Sequence, residues 1–193
     1  MESLLTSDEQ QQLLRIASQA VRATARARQP DRLNLALLSH QLAAIGASFV
    51  TLSNRGLLRG CIGTIDARMP LAEDVQLHAV DAASRDYRFC PVCEEELDEI
   101  EIEISVLSPP VELEYQTPGQ LPQILRPGVD GVLLQSQMHR STFLPQVWEK
   151  IPNPEEFLTA LCLKARLPGD FWQRQMLSIQ TYQVESFHSP SLL

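Results

Sequence analysis

One short segment near the middle of this chain restricts its fold more than any other. In residues 100–106, isoleucine or valine occupies every second position, and Glu101, Glu103 and Ser105 fill the positions between them. Because successive side chains of a β-strand point to opposite faces, this alternation predicts a strand with one buried and one polar face. Both glutamates should face away from the core. Glu101 is kept as a ligand-binding candidate in case that polar face borders a site.

Several other segments have the apolar spacing and the terminal residues of helices. Ser7 precedes two acids and an apolar pattern of helical spacing, so we predict that it caps a first helix, which Pro30 stops. Asn153 is predicted to cap the last long helix. The predicted helices span residues 8–29, 35–44, 70–84 and 154–165, with one further helical turn at 94–97.

Strand patterns occur between these helices without a strict alternation of the two element types. The predicted strands form hairpins at 47–65 and 131–143, a short edge strand at 111–115 and a terminal strand at 179–187. Helices and strands mixed in this order favour an α+β fold, with a mixed or antiparallel sheet and flanking helices, over a doubly wound sheet.

Composition and charge exclude several classes of partner. The formal net charge is −8, and an acidic surface repels phosphate backbones, so we predict no nucleic-acid partner. No segment approaches the roughly 18 consecutive apolar residues that span a bilayer. The polar N-terminus lacks the features of a signal peptide. We therefore predict a cytoplasmic protein with no membrane partner, whose four cysteines stay reduced.

A cysteine flanked by glycines lies in the second strand of the first predicted hairpin, within the sequence LRGCIG at residues 58–63. Glycine weakens a strand, so Gly60 and Gly63 indicate a β-bulge, or a close approach by another backbone or by a ligand. Alternation along the strand would place Arg59, Cys61 and Gly63 on one face. Arg59 and Cys61 are therefore predicted to share a site.

Cys61 is the main candidate for a catalytic residue, as a thiolate nucleophile or a redox thiol with Arg59 as an anion-binding neighbour. The alternative is a small buried cysteine that packs where little else fits. A nucleophile also needs a base, for which Asp86 and His78 are the candidates. His78 lies in a predicted helix, where a surface or core role is the more usual one.

Two further arginines are ligand-binding candidates. Arg88 follows Asp86 in an irregular segment, and the pair either lines a site or forms a local salt bridge. Arg140 lies in the second predicted hairpin, ahead of Phe143-Leu144-Pro145; it either adds positive charge to a site or is a solvated hairpin residue.

Cys90 and Cys93 form a Cys-Pro-Val-Cys pair that has the spacing of half a zinc site. The second half is missing, because the other cysteines and the histidines are scattered through the sequence. We interpret the pair as two incidental thiols in a loop, and we predict neither a metal site nor a resident cofactor.

The LRGCIG sequence resembles the signature of the AMMECR family. Other segments of the chain are similar to family motifs and follow in the family's order: residues 82–89, with an acid before Arg-Phe; 101–109, a central strand and turn; 128–132, a glycine-flanked strand; and 143–147 and 157–165 near the C-terminus. The similarity extends from about residue 7 to residue 187. We therefore interpret residues 1–193 as a single AMMECR domain.

The resemblance implies an AMMECR-like α+β fold with a large lobe, a smaller lobe and a cleft between them. In bacteria such domains are often encoded beside, or fused to, a Memo-like domain and a radical-SAM domain. The resemblance thus implies a Memo-like protein and a radical-SAM protein as partners. The three-cysteine motif of a radical-SAM cluster is absent from this chain, so radical chemistry would belong to the partner.

The family has no settled biochemical activity, and two hypotheses follow. In the first, the chain is an enzyme component in which Cys61 is the nucleophile or the substrate-carrying thiol, Arg59 and Arg88 bind an anion, and Asp86 or His78 accepts a proton. In the second, it is a binding or scaffold module for a peptide or protein, and Gly60 and Gly63 serve tight strand packing.

Overall fold

The computed structural model describes residues 4–189 and Leu192. The chain divides into two compact units: unit 1 comprises residues 1–107 and 185–193, and unit 2 comprises residues 108–184. The single domain over residues 1–193 and the cleft implied by the family resemblance both stay predictions. Within the described residues, none of the helices has the length and apolar character required to cross a bilayer.

Helices are present in both units. The α-helices of the described residues are α1 (Ser7–Ala25), α2 (His40–Ala43), α3 (Leu71–Ser84), α4 (Leu121–Ile124), α5 (Pro154–Lys164) and α6 (Phe171–Arg174). Short 3-10 helices cover Leu35–Leu37, Glu94–Glu99, Pro118–Gln120 and Pro145–Glu149.

The strands form two sheets in which the described pairings are antiparallel. They are β1 (Ile45–Asn54), β2 (Leu57–Gly63), β3 (Met69–Pro70), β4 (Ile100–Leu107), β5 (Val111–Glu112), β6 (Gly131–Ser136), β7 (His139–Phe143), β8 (Ser178–Tyr182) and β9 (Val184–Ser189). The first sheet has the order β2-β1-β4-β9, with β3 also paired to β1, and the second has the order β5-β8-β6-β7. This mixture of helices and antiparallel sheets confirms the α+β prediction.

The core of unit 1 lies between the first sheet and the two long helices α1 and α3. Ile100, Ile102 and Ile104 of β4 are buried on the helix side, whereas Glu101 and Glu103 are exposed on the other face. The strand predicted from the alternating segment is therefore confirmed, together with the direction of its glutamates. Burial of these isoleucine side chains contributes roughly 1.5–3 kcal/mol each.

The core of unit 2 is built around the ring of Phe157 on α5. The Trp148 ring stacks on it with the ring centroids 3.7 Å apart, and Phe143 meets it edge-on at 5.2 Å. The buried Trp148 indole donates to the backbone carbonyl of Asp130. Trp148 is therefore a packing residue of this core.

The predicted hairpins are both present. Arg55 and Gly56, between β1 and β2, have φ angles of 51° and 75°, the left-handed conformation that a two-residue hairpin turn with this strand twist requires. The predicted terminal strand is wrong in one respect. It is two strands, because the chain passes from the second sheet to the first at Gln183, whose N–H and C=O both bond to Ser108.

Three predicted helix boundaries are also corrected. Thr6, not Ser7, caps α1, because only from Thr6 is Glu9 placed to close a reciprocal capping box. The stretch 35–44 is not one helix, since Asn34 and Ser39 each cap a separate short turn. Helix α1 ends at Ala25, five residues before Pro30.

Helix α1 ends in a Schellman motif that has an alanine where glycine is usual. The N–H of Arg28 bonds to the carbonyl of Ala23, the N–H of Ala27 bonds to that of Thr24, and Ala27 has φ of 53°. A left-handed conformation costs a residue with a Cβ about 1–2 kcal/mol.

We expect Ala27→Gly to raise the free energy of unfolding by about 0.5–1 kcal/mol, because relief of this strain exceeds the added entropy of the unfolded chain. Urea denaturation measures the change. The matched control is Ala25→Gly within the helix, which should lower stability by a similar amount. An Ala27→Gly variant no more stable than the wild type would contradict the assignment.

Candidate functional site

Cys61 lies on β2, the edge strand of the first sheet, directly opposite Thr51 of β1. Its neighbour Gly60 is buried against α3, where a Cβ atom would clash with the backbone carbonyl of Ala82. The side chain at residue 61 therefore points away from α3. A close approach by another backbone was one of the alternatives predicted from the glycines, and here it leaves no space for a ligand at Gly60 on the helix side.

Gly63 is also required for close packing. A Cβ atom at this position would overlap the ring of Phe49 and the carbonyl of Ser48, both on β1. The two glycines of the motif thus serve contacts within unit 1, as the scaffold hypothesis requires.

The predicted bulge is present and involves Arg59. Leu52 pairs with Gly60 and Ser53 with Leu58, so Arg59 is the extra residue of β2. Its guanidinium makes a two-point ion pair with Glu96, at 2.7 and 2.9 Å, and also donates to the carbonyls of residues 90 and 91. Simple alternation along β2 predicted that the Arg59 side chain lies on the same face as that of Cys61. This prediction is wrong, because the bulge turns the Arg59 side chain toward the loop of residues 90–96.

The backbone of Cys61 is held by a clamp made of Asp86 and Arg88. The N–H of Cys61 donates to Asp86 Oδ2 at 2.9 Å, and Arg88 donates to the Cys61 carbonyl at 3.3 Å. Arg88 also binds both carboxylate oxygens of Asp86, at 2.8 and 2.6 Å. The clamp satisfies the peptide groups that an edge strand leaves without a strand partner.

The charge of Asp86 is fixed by this arrangement. Its side chain is 2% exposed, and the hydrogen bond from Arg88, helped by the N–H of Cys61, holds its pKa well below the ordinary range. An ion-paired carboxylate of this kind is a poor proton acceptor near neutral pH. The geometry therefore favours the local salt bridge that was the alternative for Asp86 and Arg88.

Cys61 is half-buried, and its sulfur has a hydroxyl group as its neighbour. Thr51 Oγ1 donates to Cys61 Sγ at 3.2 Å, and Thr51 also lies opposite Glu103 of β4. Thr51 was not predicted as a site residue. The strand register of the predicted hairpin decides that Thr51 lies opposite Cys61. The bulge sets this register, so it could not be read from the sequence.

Beyond Thr51, the polar face of the sheet carries exposed acids. Glu101 and Glu103 border a cavity of about 290 Å³ together with Ser53 and His188. Glu101 is thus placed on a concave polar surface of unit 1. His188 was not selected from the sequence because its position beside β4 depends on sheet order, which carries no local signal.

His78 is buried on α3, with Nδ1 3.2 Å from Asp74 Oδ2, and the hydroxyl of Ser48 donates to that same oxygen at 2.7 Å. The His78 and Asp74 pair does not have hydrogen-bonding geometry. Because Cys61 points away from α3, His78 is not placed to act as its base.

The Cys90 and Cys93 pair and Arg140 are the remaining candidates. Cys90 and Cys93 are exposed, and hydrogen bonds with Glu95 and Glu96 raise the pKa of the Cys93 thiol. Among the described residues, no group of three or more His, Cys, Asp or Glu is placed to hold a metal ion. Arg140 is exposed on β7 of unit 2, opposite Gln135.

Comparison with known proteins places these features in a family. The AMMECR1 family model matches residues 14–187. A protein of Methanothermobacter thermautotrophicus is 38% identical, over 95% of this chain and 96% of its own length, and a protein of Thermococcus onnurineus is 40% identical over 72% and 70%. The crystal structure of an uncharacterized Pyrococcus horikoshii protein matches with a TM-score of 0.85 at 29% identity, covering 98% and 96% of the two chains.

We expect Gly60→Ala to destabilise the protein by about 1–3 kcal/mol, because the new Cβ meets the backbone of Ala82, which no rotamer change can relieve. Gly119→Ala is the matched control: nothing lies near its Cβ position, and it should change stability by less than about 0.5 kcal/mol. Thermal or urea unfolding of both variants measures the difference. Equal stabilities would show that α3 yields to the added methyl group.

Asp86→Asn should lower the free energy of unfolding at pH 7 by about 1–3 kcal/mol, because it leaves Arg88 without its charged partner. The folded-state pKa of Asp86 is depressed, so the stabilisation is fully present above the unfolded pKa, near 4, and is lost as pH falls below it. The gap between variant and wild type should therefore narrow between pH 5 and pH 2.

Asp81→Asn is the control for this pH series, because its partner Arg85 is 70% exposed and an ion pair with a solvated guanidinium contributes little. A gap for Asp86→Asn that stays constant down to pH 2 would show that the carboxylate charge does not hold the clamp.

Proposed function

The chain belongs to the AMMECR1 family, and on that premise we propose that it is the binding component of a system that also contains a Memo-like protein and a radical-SAM protein. Its site is centred on Cys61 and the polar face of the first sheet. In this proposal the chain recognises a peptide or protein surface and does not itself carry out covalent chemistry.

The hydrogen bonding of Cys61 is the observation that carries the proposal. Among the described residues, the thiol has the Thr51 hydroxyl as its partner, and the carboxylate at this position, Asp86, binds the Cys61 backbone and Arg88. A hydroxyl group is not a base that activates a thiol near neutral pH. The residues around Cys61 thus resemble a fixed recognition surface more than a nucleophile with its base.

The clamp also indicates which surface a partner would use. A partner strand cannot pair with β2 at Cys61, because Asp86 and Arg88 already occupy the N–H and C=O there. Recognition would therefore use side chains of the polar face, such as Thr51, Cys61 and Glu103. Arg88, whose side chain is 42% exposed, is available to an acidic group of the partner.

The identity and location of the partners rest on the family resemblance and on charge. AMMECR domains occur beside or fused to Memo-like and radical-SAM domains in bacteria, which supports those two partners. The net charge of −8 and the unpaired cysteines support a cytoplasmic protein with neither a nucleic-acid nor a membrane partner.

One observation favours an enzymatic alternative. The guanidinium of Arg88 reaches the Cys61 carbonyl at 3.3 Å, so it could hold an anionic group beside the thiol. In that case Cys61 would carry a substrate or act as the nucleophile, and a bound substrate or a partner would have to supply the base.

We expect Cys61→Ser to keep the binding of the Memo-like or radical-SAM protein encoded in the same genome, and Cys61→Phe to lose it. Serine retains a hydrogen bond with Thr51, whereas phenylalanine adds bulk to the polar face. Cys90→Phe, at an exposed cysteine of the loop, is the control and should bind as the wild type does. Biolayer interferometry with each purified partner measures the affinities.

The outcomes separate the two functions. If wild-type protein binds neither partner, membership of the system is refuted. If Cys61→Ser binds normally but abolishes the output of the pathway in cells, the thiol takes part in chemistry and the enzymatic alternative is correct.

A further inference from the structure

A groove of about 570 Å³ lies beside the C-terminal end of α1, within unit 1, and shares no residue with the Cys61 site. Its walls come from α1, from residues 28–34 and from one residue of α3. Three arginines line it, Arg22, Arg28 and Arg32, against a single acid, Asp31. We refer to it as the arginine groove. We propose that it binds a small polyanion, a molecule that carries two or more phosphate or carboxylate groups.

The local charge is opposite in sign to that of the whole chain. The formal net charge of the protein is −8, yet the groove lining carries three positive charges and one negative charge. A concave surface with one sign of charge raises the local concentration of oppositely charged ligands. The arginine groove is therefore a site to which a small anion would be drawn in spite of the acidic surface around it.

Guanidinium groups in the groove are available to a ligand. Arg26, in the same stretch of sequence, is paired with Glu94 at 2.7 Å. Among the ion pairs of the described residues, none involves Arg28 or Arg32, and both are exposed. Arg22 donates from one nitrogen to the Leu192 carbonyl. This hydrogen bond fixes the Arg22 side chain and leaves its other N–H groups available to a ligand.

The charge at the end of a helix explains only part of this cluster. Cations near a helix C-terminus stabilise it, which accounts for Arg22 and Arg26. The effect falls off within the last turn, and Arg32 lies seven residues beyond Ala25, where α1 ends. Helix stability therefore gives no reason for Arg32 to face the same groove.

The backbone that carries the arginines is held in place before any ligand binds. The Schellman motif fixes Arg28 at the end of α1, and the amide of Gln76 on α3 donates to the carbonyl of Asp31 at 3.0 Å. Asn34 then caps the following turn. A fixed backbone lowers the entropy that binding must overcome, and planar guanidinium groups bind oxyanions through paired hydrogen bonds.

The size of the groove indicates more than one anionic group. Sites for small molecules have volumes of about 300–1,000 Å³, and a single phosphate would leave most of this groove empty. The lining also carries the side-chain amides of Gln19 and Gln29, which can donate to further oxygens. A ligand with two oxyanion groups on a short spacer uses both features.

The experiment is isothermal titration of the full-length protein with pyrophosphate and, separately, with citrate, at constant ionic strength. We expect saturable binding of at least one of them with one site per chain. The double variant Arg28→Ala/Arg32→Ala should weaken that binding by about tenfold or more, because it removes two guanidinium groups that would donate charged hydrogen bonds to the ligand.

The control removes the same charge elsewhere in unit 1. Arg68→Ala/Arg85→Ala disrupts two exposed ion pairs outside the groove and should leave the affinity within about twofold. Thermal unfolding verifies that both double variants are folded.

Binding of pyrophosphate alone supports a phosphate ligand, and binding of citrate alone supports a polycarboxylate. Two outcomes overturn the proposal: no saturable binding of either anion at concentrations up to about 10 mM, or equal weakening of binding in both double variants.

Discussion

The hydrogen bond from the Cys61 N–H to the Asp86 carboxylate is the interaction on which the arrangement of the site depends. It joins the edge strand β2 to the segment that follows α3, and it recruits Arg88, which closes the clamp on the Cys61 carbonyl. Because Gly60 already brings β2 against the carbonyl of Ala82, the strand is held on two sides at once. The cysteine side chain is thereby directed to the polar face.

This arrangement explains why an acid and an arginine follow α3 without forming an evident catalytic pair. An edge strand exposes N–H and C=O groups that attract other strands, and proteins protect them by charge, bulges or cover. Here a bulge at Arg59 and the clamp at Cys61 both protect β2. The features that first indicate chemistry, a thiol with charged neighbours, therefore serve to fix a surface, which is why we favour binding over nucleophilic catalysis.

The charged groups of unit 1 also differ in whether they have a partner. Much of its positive charge is paired: Arg59 with Glu96, and Arg26 with Glu94. The pairing with Arg59 lowers the pKa of Glu96 to about 2, so this carboxylate stays charged at neutral pH. The arginine groove differs, because no ion pair among the described residues involves Arg28 or Arg32. A net charge of −8 therefore describes the whole chain and not the site that one ligand would meet.

The sequence by itself determined the elements whose signals are local. The alternation of isoleucine and glutamate placed β4 and its exposed acids, the turn residues at 53–56 placed the first hairpin, and Asn153 placed the start of α5. The glycines of the motif predicted a bulge, or a close approach by a backbone or a ligand; the structure contains both the bulge and the close backbone approach. Tertiary structure decided which partner each side chain has. The bulge turned Arg59 toward Glu96, the register brought Thr51 to Cys61, and sheet order brought His188 beside Glu101. These contacts join residues distant in sequence, so no local preference encodes them and only packing of the whole unit sets them.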